Sequence, residues 1–311
     1  MAKETPTIYN YGSINIDYVY RVPHLVRPGE TLASTSVHQV LGGKGANQSL
    51  ALARAGGKVA HWGRLGESDR WALAPLEDAG VEVADIELVA EASGHALIQV
   101  DDAAENAIIL YPGANHGFDE ARLEALVGSA RAGDWVLLQN ECNAAERLLR
   151  LAAANGLSIA FNPAPLSTDV TELPLELCRI LFLNRGEAAA LAGQEESADA
   201  GTLLETLSTR LPEVEIVLTL GSEGVCHQHR GARVTLAAHA VAAIDTTAAG
   251  DTFIGYFMAA RQRGDDVEQA LRLATTASAL CVQKAGAEPS IPTSKDVEEA
   301  LQTLPALSLE T

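Results

Sequence analysis

Trp135-Val136-Leu137-Leu138-Gln139, a helical stretch over Ala144–Ala153, then Ser158-Ile159-Ala160-Phe161 form a strand–helix–strand run, and this run decides the fold. The same alternation continues on either side. Helix Glu120–Ala130 leads into the first strand, strand Ile180–Leu183 precedes helix Glu187–Leu191, and helix Thr202–Leu211 leads to strand Glu215–Leu220. Repeated alternation of this kind predicts a largely parallel sheet with helices on both faces. In open α/β sheets ligands bind beyond the carboxyl ends of the strands, so the segments that follow strands are the first places to seek chemistry.

Downstream, Val225–Gln228 and Arg233–Leu236 read as a hairpin. Two Ala-rich helices follow, Thr252–Arg263 and Val267–Gln283, and residues 303–311 read as a frayed tail. Upstream, Ile8–Tyr11 is a short strand ending at Gly12. Ile14–Val22 alternates, with Asn15 and Asp17 opposite Ile14, Ile16 and Tyr18, until Pro23, Pro28 and Gly29 break the run. Thr31–Leu41 reads as one or two short strands, and Gly42-Gly43-Lys44-Gly45 turns into a helix, Ala46–Ala55. Strand Val59–Trp62 and helix Trp71–Ala79 come next. Ala96–Val100 and Ala107–Tyr111 flank the polar segment 101–106 as a hairpin. With the early strands this hairpin forms a small separate sheet, so the expected architecture is an α/β core with a β appendage.

Composition narrows the function. The chain has 311 residues, with 22 Lys and Arg against 41 Asp and Glu, a net charge of −19, and is 47% hydrophobic. It carries no run of Lys and Arg, and so acidic a surface repels phosphate backbones, which argues against nucleic acid as a partner. No apolar stretch approaches the ~20 residues of a membrane span, and the start of the chain shows no apolar signal-peptide region. Cys142, Cys178, Cys226 and Cys281 lie dozens of residues apart with no C-x-x-C pair, which fits a reducing, cytoplasmic location.

The richest chemical segment is Ile244-Asp245-Thr246-Thr247-Ala248-Ala249-Gly250-Asp251-Thr252-Phe253, a small-residue turn opening into a helix. Amides of Ala248, Ala249 and Gly250 at a helix N-terminus favour an anion, and Asp251 beside them suits a base that takes a proton from an attacking hydroxyl. Helix capping by Thr247 or Asp251 is the competing reading. Gly42–Asn47 is a second tight turn. It lacks Walker A spacing, and Gln48 stands where a dinucleotide fingerprint needs glycine. Lys44 and Asn47 there would bind hydroxyls, or the segment is only a strand–helix connection. Asn15 and Asp17 share a strand face, either gripping a polyol or simply solvated. Asn184-Arg185-Gly186-Glu187 follows a strand. Glu187 would order water around Mg²⁺, or serve as a first-turn acid. Thr219–Gly224 would line a nucleotide phosphate or make a Gly-rich turn, and Glu141 lies past another strand end. His227 and His229 would be a metal pair, with no third ligand nearby.

Together these segments resemble the ribokinase branch of the ribokinase and phosphofructokinase-B sugar kinase family, over nearly the whole chain. The likeness runs from Gly12-Ser13-Ile14-Asn15-Ile16-Asp17 to Pro289-Ser290-Ile291-Pro292. Gly42–Gln48 is similar to the family's first motif and Asp245–Phe253 to its second. Tyr111–Asn115 and Asn162-Pro163-Ala164-Pro165 also match. The resemblance implies a ribokinase-like three-layer α/β/α core with a mostly parallel sheet, over residues 1–14, 42–95 and 112–311. It implies a small β-sheet lid over residues 15–41 and 96–111, and a homodimer joined through the lids.

The implied activity is ATP-dependent phosphorylation of a sugar's primary hydroxyl. In that reading Asp251 is the general base, with the anion hole at Ala248, Ala249 and Gly250. Asn15, Asp17, Gly43, Lys44, Gly45, Asn47 and Glu141 hold the sugar, and Asn184, Thr219, Gly221, Ser222, Gly224, Gly250 and Thr275 face the nucleotide. Glu187 supports Mg²⁺. The resemblance also implies a potassium ion at Asp245, Thr247, Cys281, Lys284, Gly286 and Ser290. Ile254, Leu183 and Thr275 depart from the commonest family residues, and His38, Ala96 and Ile98 would tune the sugar pocket. D-ribose is the leading substrate; a nucleoside, pseudouridine, deoxyribose or another sugar is the alternative within the class. A non-catalytic sugar-binding protein and a dinucleotide-dependent oxidoreductase are the alternatives outside it.

Overall fold

The computed structural model describes residues 5–103 and 105–310. Residues 1–4, 104 and 311, which belong to the expected core, hairpin and tail, lie outside the described residues. The strands are β1 (Ile8–Tyr11), β2 (Asn15–Arg21), β3 (Ser36–Gly42), β4 (Val59–Trp62), β5 (Arg64–Gly66), β6 (Glu87–Val89), β7 (Gly94–Val100), β8 (Asn106–Tyr111), β9 (Trp135–Gln139), β10 (Ser158–Asn162), β11 (Ile180–Asn184), β12 (Glu215–Thr219), β13 (Val225–His229), β14 (Ala232–Leu236) and β15 (Leu309–Glu310). The α-helices are α1 (Lys44–Arg54), α2 (Leu73–Asp78), α3 (Glu120–Ser129), α4 (Ala145–Ala154), α5 (Arg185–Ala192), α6 (Ala200–Arg210), α7 (Ala249–Arg263), α8 (Val267–Cys281) and α9 (Ser294–Thr303).

Nine strands form the main sheet, in the order β15-β14-β13-β12-β11-β10-β9-β1-β4. The pairs from β4 through β12 are parallel, and those from β12 to β15 antiparallel. Side chains alternate across a strand. Leu137, Ile180, Phe182 and Val217 therefore enter one apolar core, with α1, α7 and α8. Val136, Leu138, Leu181 and Ile216 enter the other, with α3 to α6. Both faces are covered, so the parallel strands are apolar at nearly every position.

A separate sheet, β3-β2-β7-β8, combines the early strands with the hairpin, as the expected fold class requires. Asp17 pairs in register with Val40 and Ala96, and Ala96 with Leu110, which puts these residues on one face.

Several details differ from the sequence reading. Thr31–Leu41 yields one strand, beginning at Ser36. Only Leu73–Asp78 of the expected helix Trp71–Ala79 is α-helical; a 3₁₀ turn with Asp69 out of helical geometry precedes it. Helix α9 went unread although Thr293 and Asp296 form a capping box at its start. The tail is not frayed. Leu309–Glu310 pairs with β14, and Leu307 and Leu309 pack on the core.

Side-chain caps mark most helix starts: Asp119 on α3, Asn184 on α5, Asp199 on α6 and Asp266 on α8. Helices α1 and α7 have no capping side chain at the N-cap position; at α1 the first N–H groups are taken instead by Glu141 and Ser13, brought from elsewhere in the chain.

Phe182, 1% exposed, meets Phe257 of α7 edge-to-face with ring centroids 5.4 Å apart, tying sheet to helix. Phe182→Ala is expected to cost about 3–5 kcal/mol, read as a lower urea midpoint at unchanged slope.

Candidate active site

Most of the expected site residues lie beyond the carboxyl ends of the parallel strands or at helix starts, and Asn15 and Asp17 stand on β2 of the small sheet. Ala248, at φ 60°, turns the chain into α7, and no side chain caps the turn. Capping by Thr247 or Asp251 is thus not what the segment does. Thr247 instead donates through both N–H and hydroxyl to Asp245 Oδ1, at 2.9 and 2.6 Å. Asp251 is 7% exposed. Its Oδ1 accepts from Gln48 Nε2 at 2.9 Å and its Oδ2 from Asn47 Nδ2 at 3.2 Å.

Both amides come from the first turn of α1, so the two Gly-rich segments, about 200 residues apart in sequence, meet here. Gly45 makes this approach feasible. A Cβ on it would lie 2.4 Å from Gly12 Cα, and its N–H donates to Ser13 Oγ at 3.2 Å. Gly43 precedes the helix with φ 92°.

Half-buried Lys44 sits among carboxylates. Asp251 above all raises its affinity for a proton, with Glu141 and Glu187 adding to the effect against the pull of burial. Its backbone N–H donates to Glu141 Oε2 at 3.0 Å, and Ser13 Oγ donates to the same oxygen. Burial raises Glu141 above the usual carboxylate range, although Ser13 and Lys44 oppose it. Burial, then the charge of Glu141, pushes Asp17 up to about 6. Asn15, beside Asp17 on β2, accepts from Asn115 Nδ2 at 2.8 Å. Asn47 Oδ1 is buried without a hydrogen-bond partner and lies beside this group. Sequence reasoning assigned no role to Gln48, Ser13 or Asn115, although all three belong to the segments that carried the resemblance.

A neighbouring cavity of about 420 Å³ adjoins the α7 start. Thr219, Gly221, Ser222, Gly224, Gly250 and Thr275, all expected at the nucleotide, line it. His239, Val241 and Val282 supply further wall that no motif announced. Asn184 is not in that lining. It caps α5 in a reciprocal box with Glu187, donating to both Glu187 oxygens at 2.8 and 2.9 Å. Burial raises Glu187, against Asn184 and Lys44.

Behind the α7 turn, Gly286 N–H donates to Asp245 Oδ2 at 2.8 Å, and Cys281 Sγ lies 3.1 Å from Ser290 Oγ. The Lys284 N–H donates to the Cys281 carbonyl at 3.1 Å. Cys281 Sγ also reaches the Thr247 carbonyl, at 3.6 Å, which joins the six positions expected around a monovalent cation into one connected group at the end of α8 and the segments beside it. Burial would raise Asp245, yet hydrogen bonds from Thr247 and Gly286 hold it below the usual carboxylate range, so it presents anionic oxygen. His227 is not paired with His229. It contacts Glu215 at 3.4 Å, at the opposite end of the strands, and no cluster of three His, Cys, Asp or Glu side chains suited to a metal occurs among the described residues.

No helix among the described residues is long and apolar enough to cross a membrane. Comparison with known proteins agrees with the geometry. The model of the pfkB family carbohydrate kinases matches residues 6–294. Ribokinase of Haemophilus influenzae is 35% identical over 302 residues, 95% of this chain and 98% of that protein. Ribokinase of Schizosaccharomyces pombe is 33% identical, over 92% of this chain and 95% of that one. Among solved structures, ribokinase of Cryptococcus neoformans in complex with ADP superposes with a TM-score of 0.82 at 33% identity, covering 94% and 98% of the two chains. Arabidopsis thaliana ribokinase complexed with ribose and ATP gives 0.85 at 28% identity, covering 96% and 99%. With the match spanning both Gly-rich segments and the sheet between them, this chain belongs to the pfkB family of carbohydrate kinases.

Proposed function

We propose that the protein transfers the γ-phosphoryl group of ATP to the primary hydroxyl of D-ribose, giving ribose 5-phosphate and ADP. One observation carries the reading: a buried carboxylate, Asp251, stands at the uncapped start of α7 with both oxygens held by amides. The orphaned acceptor Asn47 Oδ1 beside it suits a hydroxyl donor. The ribokinase relatives, and the ribose and ATP in the A. thaliana structure, support the choice of substrates.

The sugar's hydroxyl oxygen attacks the γ-phosphorus, its proton passes to Asp251, and the bond to the bridging oxygen of ADP breaks. The amides of Ala248, Ala249 and Gly250 stabilise charge on the moving phosphoryl group. Asn15, Asp17, Gly43, Lys44, Gly45, Asn47 and Glu141 orient the sugar, and the cavity at Thr219, Gly221, Ser222, Gly224 and Thr275 takes the nucleotide, with Asn184 at its margin. The buried carboxylate of Glu187, close enough to raise Lys44, fits a role in holding Mg²⁺ through water. That ion would neutralise charge on the phosphates.

Carboxylate, hydroxyl and carbonyl oxygens at Asp245, Thr247, Cys281, Lys284, Gly286 and Ser290 suit potassium, which would stiffen the loop carrying the anion hole. A second copy would cover the apolar residues Ile108 and Leu110 of the small sheet, 53% and 57% exposed. The four free, buried thiols fit a reducing cytoplasm.

ADP release with Mg·ATP, assayed against ribose, deoxyribose, fructose, ribonucleosides and pseudouridine, tests the reading. Ribose is expected to turn over fastest. Turnover confined to another acceptor would reassign the substrate, and none on any would favour a sugar-binding protein. Asp251→Ala should lower kcat by about 10³-fold or more with ribose binding kept; retained turnover would remove Asp251 as base. Replacing sodium by potassium should raise the rate, and equal rates would argue against the cation site.

Asp17 offers a pH test. Its folded-state value near 6 lies above the ordinary one, so the ionised form is penalised on folding. That penalty is absent below pH ~4 and complete above pH ~6. Asp17→Asn should therefore gain up to about 3 kcal/mol of stability at pH 8, no such gain near pH 3.5, and weaken ribose binding about tenfold or more. Denaturant unfolding at the two pH values and calorimetric titration read the two effects.

A further inference from the structure

Beneath Asp251 runs a chain of buried polar side chains whose directions can be worked out from its far end. Gly12 contributes a carbonyl, which can only accept, so His61 Nε2, 3.1 Å away, carries the proton. Burial pushes His61 down to about 4, against the Gly12 contact, so the ring is neutral and its Nδ1 accepts. Ser49 Oγ, at 2.8 Å from Nδ1, therefore donates, and in turn accepts from Asn10 Nδ2 at 2.8 Å. The second hydrogen of that amide goes to the Gly45 carbonyl at 2.7 Å. Asn10 Oδ1 must then accept, and Gln139 Nε2 reaches it at 3.0 Å. The other hydrogen of Gln139 reaches Gln48 Oε1 at 2.7 Å.

Gln48 is left with its two N–H bonds for Asp251 Oδ1 at 2.9 Å and Asn162 Oδ1 at 3.3 Å. Asn162 is fixed independently, since its Nδ2 donates to the Phe182 carbonyl at 3.1 Å. His61, Ser49, Asn10 and Gln48 are 0% exposed and Gln139 1%, so water does not compete for these bonds.

We propose that Gln48 is the positioning residue of the catalytic carboxylate: held by the amide chain with its N–H bonds outward, it pins Asp251 Oδ1 and leaves Oδ2 as the atom that receives the proton. The inference rests on the reading of Asp251 as general base. Oδ1 is turned to the buried amide, whereas Oδ2 carries only the longer bond from Asn47, a residue of the proposed sugar pocket. Gln48 has no free hydrogen with which to reach a substrate, so its effect passes through Asp251.

The experiment measures kcat and KM against pH for Gln48→Met, Gln48→Glu and Asp251→Asn, with folding checked by circular dichroism. Lys44, Glu141 and Glu187, the charged groups around Asp251, the Cys281 thiol of α8 and neutral His61 at the far end of the chain are common to the Gln48 variants and the wild type. Changes in the profile therefore report on position 48. Gln48→Met should lower kcat about 10- to 100-fold with ribose KM within about threefold. Gln48→Glu puts a second carboxyl beside Asp251, and the acid limb of kcat should move up by about one pH unit or more.

Wild-type kcat and pH profile in both variants, with Asp251→Asn inactive, would overturn the proposal and leave Gln48 a packing residue. An active Asp251→Asn would instead bring down the base assignment, and this proposal with it. If the Gln48 variants do not fold, the ¹⁵N–¹H signals of the Gln48 side-chain amide in the wild type decide. They should shift with pH along the acid limb of kcat, and signals that stay still across it would overturn the proposal.

Discussion

The site depends on helix α1 being pressed against backbone at two places. At its start, Gly45 lies so close to Gly12 that a Cβ would sit 2.4 Å from the opposing chain. One and a half turns later Ala51 meets Gly255 of α7, where a Cβ would lie 2.4 Å from the Ala51 methyl carbon. Between these contacts no layer of side chains separates α1 from the end of β1 on one side or from α7 on the other. Polar side chains as short as Asn47 and Gln48 can therefore reach Asp251. A wider spacing would leave the carboxylate buried and unpaired, which is costly.

That geometry concentrates charge where burial is expensive. Asp251, Lys44, Glu141 and Glu187 share one region at the carboxyl ends of the strands, and Asp17 joins them from the small sheet. Burial raises three of these carboxylates, and Lys44 offsets part of the penalty for Glu141 and Glu187. The apolar cores on both faces of the main sheet carry the stability that this region gives up. The amide chain from His61 to Gln48 supplies fixed dipoles there without adding a charge.

Much of this was legible in the sequence because it follows from periodicity and from small residues. Strands such as Trp135–Gln139 and Val59–Trp62 came out with their observed limits, since continuous apolar runs between breakers leave little choice. The two Gly-rich segments were visible as turns into helices, and the resemblance tied them together. Other features had no local signal. The partnership of Gln48 with Asp251 spans 203 positions and exists only once α1 and α7 pack. Leu309–Glu310 is too short to read as a strand, because its pairing is supplied by β14 rather than by its own pattern. The reciprocal capping box that ties Asn184 to Glu187 could not be read from spacing either, since it depends on the turn the chain takes after β11.

The short strand β15 has a wider meaning when both margins of the main sheet are viewed together. At one margin it covers part of β14 with two residues. At the other, Glu82 bridges to Ala60 and exchanges backbone hydrogen bonds with Val59 and His61 of β4. These contacts shorten the run of unpaired backbone at each margin that a foreign strand could extend. The four-stranded sheet differs. Among the described residues β3 and β8 each pair on one side only, and β8 exposes Ile108, Ile109, Leu110 and Tyr111. Association between copies, ordered or not, would therefore begin at this small sheet: the outer strand that a second copy would cover is also the one most open to unspecific pairing while it is uncovered.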